Sequence, residues 1–76
     1  MATSLSFDRL RHDVADVLAE PPDSLTADED LFDRGLDSIR IMTLVTRWRA
    51  DGFDPDYADL AEDPTLQAWM ILAEKR

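Results

Sequence analysis

The chain has 76 residues, 45% of them hydrophobic and 33% charged. That is enough for one small core, but too short for a catalytic barrel or a dinucleotide-binding sheet with its own substrate site. Seventeen acids against eight bases give a formal charge of −9, which repels nucleic acid and anionic membranes and favours basic protein surfaces.

Cysteine is absent, so neither a disulfide framework nor a thiolate metal site can stabilise the fold. From Met1 to Ser6 the chain lacks the basic and apolar regions of a signal peptide, and no apolar run has the length of a bilayer crossing. The expectation is a cytoplasmic protein. Leu10, Val14, Val17 and Leu18 recur at i, i+4, i+7 and i+8, with Ser6 placed to cap and Pro21-Pro22 to stop, which predicts a first helix over 7–19. Over 20–37 no period persists. Leu25, Leu31, Phe32 and Leu36 punctuate an acidic stretch there, the pattern of a loop pinned onto a core.

Ile41, Leu44, Val45 and Trp48 form the next stripe, opened by Asp37 as N-cap and closed by Gly52, which predicts a second helix over 38–50. A short helix over 56–61 is expected around Tyr57 and Leu60. Asp63-Pro64 then signals a last helix over 64–74, burying Leu66, Trp69, Met70 and Ala73. With no alternating strand pattern and no repeat, the fold class is all-α: one domain over 1–76, a small bundle of three main helices plus a short one.

Catalytic and metal chemistry find little support. The sole histidine, His12, falls within the first helix with no evident nucleophile–base–orienter constellation. Asp28, Glu29, Asp30 and Asp33 invite a calcium loop, but Phe32 takes a ligand position and the closing glutamate is missing. Arg47-Trp48-Arg49 suggests base stacking between cations, yet Trp48 lies on the core stripe and the net charge opposes nucleic acid.

Ser38 remains, after Gly35-Leu36-Asp37 at a loop-to-helix junction. A serine there is most often a cap or a turn residue. Its neighbours argue for more: at about 100° per residue, Ile39 and Met42 fall outside the arc of Ile41, Leu44, Val45 and Trp48. Either the loop folds over these two apolar side chains or they flank the serine as a contact patch.

Asp33-Arg34-Gly35-Leu36-Asp37-Ser38-Ile39-Arg40-Ile41-Met42 closely resembles the attachment motif of carrier proteins, in which the serine after Asp receives 4′-phosphopantetheine from coenzyme A. Arg47-Trp48-Arg49, Phe53, Tyr57, Leu60-Ala61, Pro64-Thr65 and Trp69 extend the likeness to aryl carrier domains found with isochorismatases in siderophore synthesis. The resemblance implies a four-helix carrier without activity of its own. On that basis Asp37 belongs to the motif and Ser38 bears the covalent 4′-phosphopantetheine, carrying an aryl acid as a thioester.

The partners it implies are a phosphopantetheinyl transferase, an adenylating enzyme, and a downstream condensation or acyltransferase enzyme. They would dock on Ile39, Met42, Tyr57 and Ala61 of a monomer that binds neither nucleic acid nor membrane. No isochorismatase domain precedes the segment, so the expectation is either a freestanding carrier, which the starting Met1 favours, or a piece excised from a larger protein. The alternatives are a freestanding peptidyl carrier loaded with an amino acid and, from another class, an acidic adaptor without a prosthetic group.

Overall fold

In a computed structural model of the chain, which describes residues 5–75 apart from the Lys75 side chain, the first helix, α1, runs Phe7–Leu18. Residues 1–4, most of the stretch read above for a leader, lie outside the described residues. Ser6 caps α1, its Oγ accepting from the Arg9 amide at 3.1 Å. Ala19, expected inside the helix, instead adopts a left-handed conformation at φ 56, its N–H turned back to the carbonyls of Ala15 and Asp16. The two prolines that follow leave no further amide able to extend the ladder.

The connection to the next helix contains two short 3₁₀ turns, Pro22–Ser24 and Leu31–Arg34. Leu25, Leu31 and Leu36 are buried, whereas Phe32, expected among the pinning residues, is 39% exposed. A 3₁₀ turn separates neighbouring side chains by roughly 120°, so seating Leu31 in the core turns Phe32 outward. Two backbone bonds tie this connection to residues 64–67. The Leu31 amide donates to the Pro64 carbonyl at 2.8 Å, and the Gln67 amide donates to the Ala27 carbonyl at 3.0 Å.

Helix α2 spans Ser38–Arg49, α3 Tyr57–Glu62 and α4 Leu66–Lys75. Helix α2 stops one residue before the expected end, and Gly52 follows at φ 92, a conformation that glycine adopts without a Cβ penalty. Helix α4 begins at Leu66 rather than Pro64. Thr65 supplies the cap, its Oγ1 accepting from the Ala68 amide at 3.2 Å, while the Pro64 carbonyl is taken by Leu31.

All four helices and the connecting loop contribute to one hydrophobic cluster. At its centre Trp48 packs on Phe53 with ring centroids 5.7 Å apart and meets Trp69 edge-on at 6.0 Å, geometry that favours aromatic pairs. Val17, Leu18 and Met70 only flank the cluster. The described residues form no strand, and the architecture is an all-α four-helix bundle. Among the described residues, no helix is long and apolar enough to cross a membrane.

Candidate functional site

The loop delivers Ser38 to the start of α2 by a short chain of local necessities. Leu36 is buried, and its amide donates to the Leu31 carbonyl at 3.2 Å. Between them Gly35 caps the second 3₁₀ turn at φ 104, a conformation costly for any residue with a Cβ. Asp37 is extended, and its Oδ1 accepts from the Arg40 amide at 2.9 Å. The capping role that competes for Ser38 is therefore filled by Asp37.

Ser38 is exposed, and among the described residues its hydroxyl has no hydrogen-bond partner. The other described serines are occupied. Ser6 Oγ caps α1, and Ser24 Oγ donates to the Pro21 carbonyl at 2.7 Å while accepting from Arg34. The first amides of α2, those of Ser38 and Ile39, have no carbonyl four residues back inside the helix. They give this end a partial positive charge, and no acid lies in the first turn.

Ser38 opens onto a shallow surface groove along one side of α2, lined further by Ile39, Met42, Thr43 and Thr46. Ile39 is 77% exposed and Met42 46%, so the loop does not cover them. The Thr43 and Thr46 hydroxyls donate to the carbonyls of Ile39 and Met42 at 3.1 and 3.0 Å. Their single donors are spent on the helix backbone. Tyr57, at the start of α3, is also exposed, while Ala61 in the same helix is half-buried.

Four of the residues weighed for other chemistry have local duties. His12 is exposed, with Nδ1 2.8 Å from the Asp8 carbonyl. Trp48 is buried, and Arg47 and Arg49 pair with Asp13 and Asp16 and with Asp54 respectively.

Arg34 was not singled out from the sequence, yet it organises the approach to the site. Its guanidinium donates to the Ser24 carbonyl, Glu29, Glu20 and Ser24 Oγ at 2.8–3.1 Å. The amide of Thr26, and then Arg34, hold the Glu29 carboxyl below the usual carboxylate range. The one available signal was an arginine set within an acidic loop, and its partners are up to 14 residues away.

The phosphopantetheine attachment site family matches residues 8–71. The chain belongs to this carrier family. The carrier is 46% identical over 69 residues to an isochorismatase of Bacillus subtilis, covering 91% of this chain and 22% of that protein. It is 48% identical over 63 residues to the phenyloxazoline synthase MbtB of Mycolicibacterium paratuberculosis, covering 83% of this chain and 5% of the synthase. The carrier thus spans less than a quarter of these two relatives. Against the acyl carrier protein ScoB of Streptomyces coeruleorubidus, identity is 38% over 76 residues, covering all of this chain and 89% of ScoB. The crystal structure of holo T3CT matches with a TM-score of 0.75 at 30% identity, covering 100% of both chains.

The prosthetic group of the carrier is 4′-phosphopantetheine, whose thiol, when bound, forms thioesters. The residues present fit it. A free hydroxyl stands at a helix end that favours a phosphate, a groove flanked by the exposed Ile39 and Met42 starts beside it, and the chain has no cysteine of its own.

Proposed function

We propose that the carrier is an aryl carrier whose Ser38 holds the pantetheine arm. In the modification, Ser38 Oγ attacks the coenzyme A phosphorus nearest pantetheine, a phosphodiester forms, adenosine 3′,5′-bisphosphate leaves, and the serine proton passes to a base of the transferase. The protein then contributes position and identity, while an adenylating enzyme loads an aryl acid and a condensing or acyl-transferring enzyme removes it. Ile39, Met42, Tyr57 and Ala61 form the surface these partners touch, and the carrier itself performs no chemistry on the acyl group.

The observation that carries the assignment is the unbonded, exposed Ser38 hydroxyl, left free because Asp37 caps α2. Aryl rather than other cargo is supported by the likeness to the isochorismatase and to a synthase named for a phenyl-bearing ring. Coenzyme A and a broad-specificity transferase should add one arm, seen by intact mass, and Ser38→Ala should add none while keeping its helical signal. An unmodified wild type beside a labelled control carrier refutes the assignment. A panel of adenylating enzymes then separates aryl from aminoacyl loading.

A further inference from the structure

Arg40 makes more contacts near Ser38 than a surface arginine needs. Its amide donates to Asp37 Oδ1 at 2.9 Å, its Nη1 to Asp37 Oδ2 at 2.8 Å and its Nε to the Val17 carbonyl at 3.1 Å. One residue thus grips both carboxylate oxygens of the residue before Ser38 and reaches back 23 positions to α1. Val17 lies in the last turn of α1, where carbonyls lack helical partners. That turn contains no basic residue of its own, so Arg40 serves it from the neighbouring helix.

Two consequences bear on Ser38. Asp37 cannot leave its capping rotamer without breaking both bonds to Arg40, so the first turn of α2 is fixed relative to α1. The cation also sits directly on the carboxylate adjoining the hydroxyl, offsetting a charge that would repel the coenzyme A pyrophosphate. An exposed ion pair at i,i+3 contributes little to stability, which places the consequence of this one in orientation and rate. The planar fork of arginine serves two acceptors at once, whereas lysine has a single ammonium.

We infer that Arg40 is a positioning residue for the modification of Ser38, holding Asp37 as the cap of α2 and offsetting its charge while anchored to α1. The inference rests on Ser38 being the attachment point. The test measures arm transfer as separate kcat and KM for wild type, Arg40→Gln and Arg40→Lys, together with thermal melts and amide hydrogen exchange. Arg40→Gln should keep its melting temperature and lose about tenfold in kcat/KM, with kcat falling, as expected of a misoriented reacting group. The Arg40 and Ile41 amides should exchange faster.

Arg40→Lys should recover only part of the rate. Three results would overturn the inference: transfer to Arg40→Gln at the wild-type rate, a loss confined to KM with unchanged exchange, or full recovery by Arg40→Lys. Should Arg40→Gln fail to fold, a lysine variant as fast as wild type overturns it equally. A wild type that takes no arm refutes the Ser38 assignment instead, so the two failures are distinct.

Discussion

The Trp48 indole donates to Asp13 Oδ2 at 2.8 Å, joining α2 to α1 through a side chain that is 11% exposed. Arg9 reaches the same oxygen at 3.1 Å, and Arg47 reaches the other at 3.3 Å. This acid therefore satisfies a core tryptophan while holding two cations at the rim. Asp13→Ala leaves a buried indole N–H without a partner and both arginines short of one, a loss of about 3 kcal/mol. Asp13→Asn keeps an acceptor for the indole and should lose less. Urea denaturation of the three proteins gives the comparison, and an alanine variant as stable as wild type would refute this account.

Met42 and Tyr57 are 46% and 41% exposed, so a charge at either position meets water rather than the core. Met42→Asp and Tyr57→Asp should each leave the melting temperature within about 3 °C of wild type, since exposed changes usually cost under 0.5 kcal/mol. Transfer of the loaded acyl group to a downstream enzyme should fall by roughly tenfold, as loss of an apolar contact at a docking surface predicts. Matched losses of folding and transfer would show that these side chains belong to the core.

The helices were legible because their apolar stripes are long and periodic. Leu10 and Val14 on α1, and Ile41, Leu44, Val45 and Trp48 on α2, are all buried. Sequence projection also separated Ile39 and Met42 from the core arc, and the structure leaves both exposed. The connection was harder to read because its order depends on partners distant in the chain. Leu31 bonds Pro64 across 33 residues and Arg34 gathers Glu20, Ser24 and Glu29, none of which leaves a periodic trace. Phe32 was misplaced because the 3₁₀ turn that seats Leu31 in the core turns its neighbour outward, a local geometry that an aperiodic stretch does not reveal. At the site, the motif singled out Ser38 and the start of the stripe placed Asp37 as the N-cap, where the structure has it, but that Ser38 Oγ is then left without a partner among the described residues is a matter of hydrogen bonding that composition and spacing leave open.

Gly35 offers a test of how the loop delivers Ser38. An added Cβ there would meet nothing within 4 Å, yet φ is +104, so the cost of Gly35→Ala comes from the backbone rather than from a clash. The expected loss is about 1–2 kcal/mol, read as a lower urea midpoint with an unchanged slope. Because Gly35 precedes Leu36-Asp37-Ser38, relaxation of the strain should also slow arm transfer. An alanine variant with wild-type stability and wild-type transfer would mean the turn tolerates other conformations.

Acid should loosen the same loop through Glu29. Its Oε2 accepts from the Thr26 amide at 2.6 Å and from Thr26 Oγ1 at 3.0 Å, and its Oε1 accepts from Arg34 at 2.8 Å. These bonds, led by the Thr26 amide, favour the ionised form and lower the folded-state pKa. A carboxyl whose pKa is lowered by folding contributes stability that is complete above its unfolded value, about 4.3, and is lost as pH falls through the folded value. Wild type should therefore exceed Glu29→Gln in urea midpoint at pH 7, and the gap should close below about pH 4 as the wild-type carboxyl takes up its proton. Arg34 stays charged throughout, so the closing gap reports Glu29. A difference between the two proteins that stays constant from pH 7 to pH 3 would show that the lost stability comes from packing or neutral hydrogen bonds, not from the ionised carboxylate.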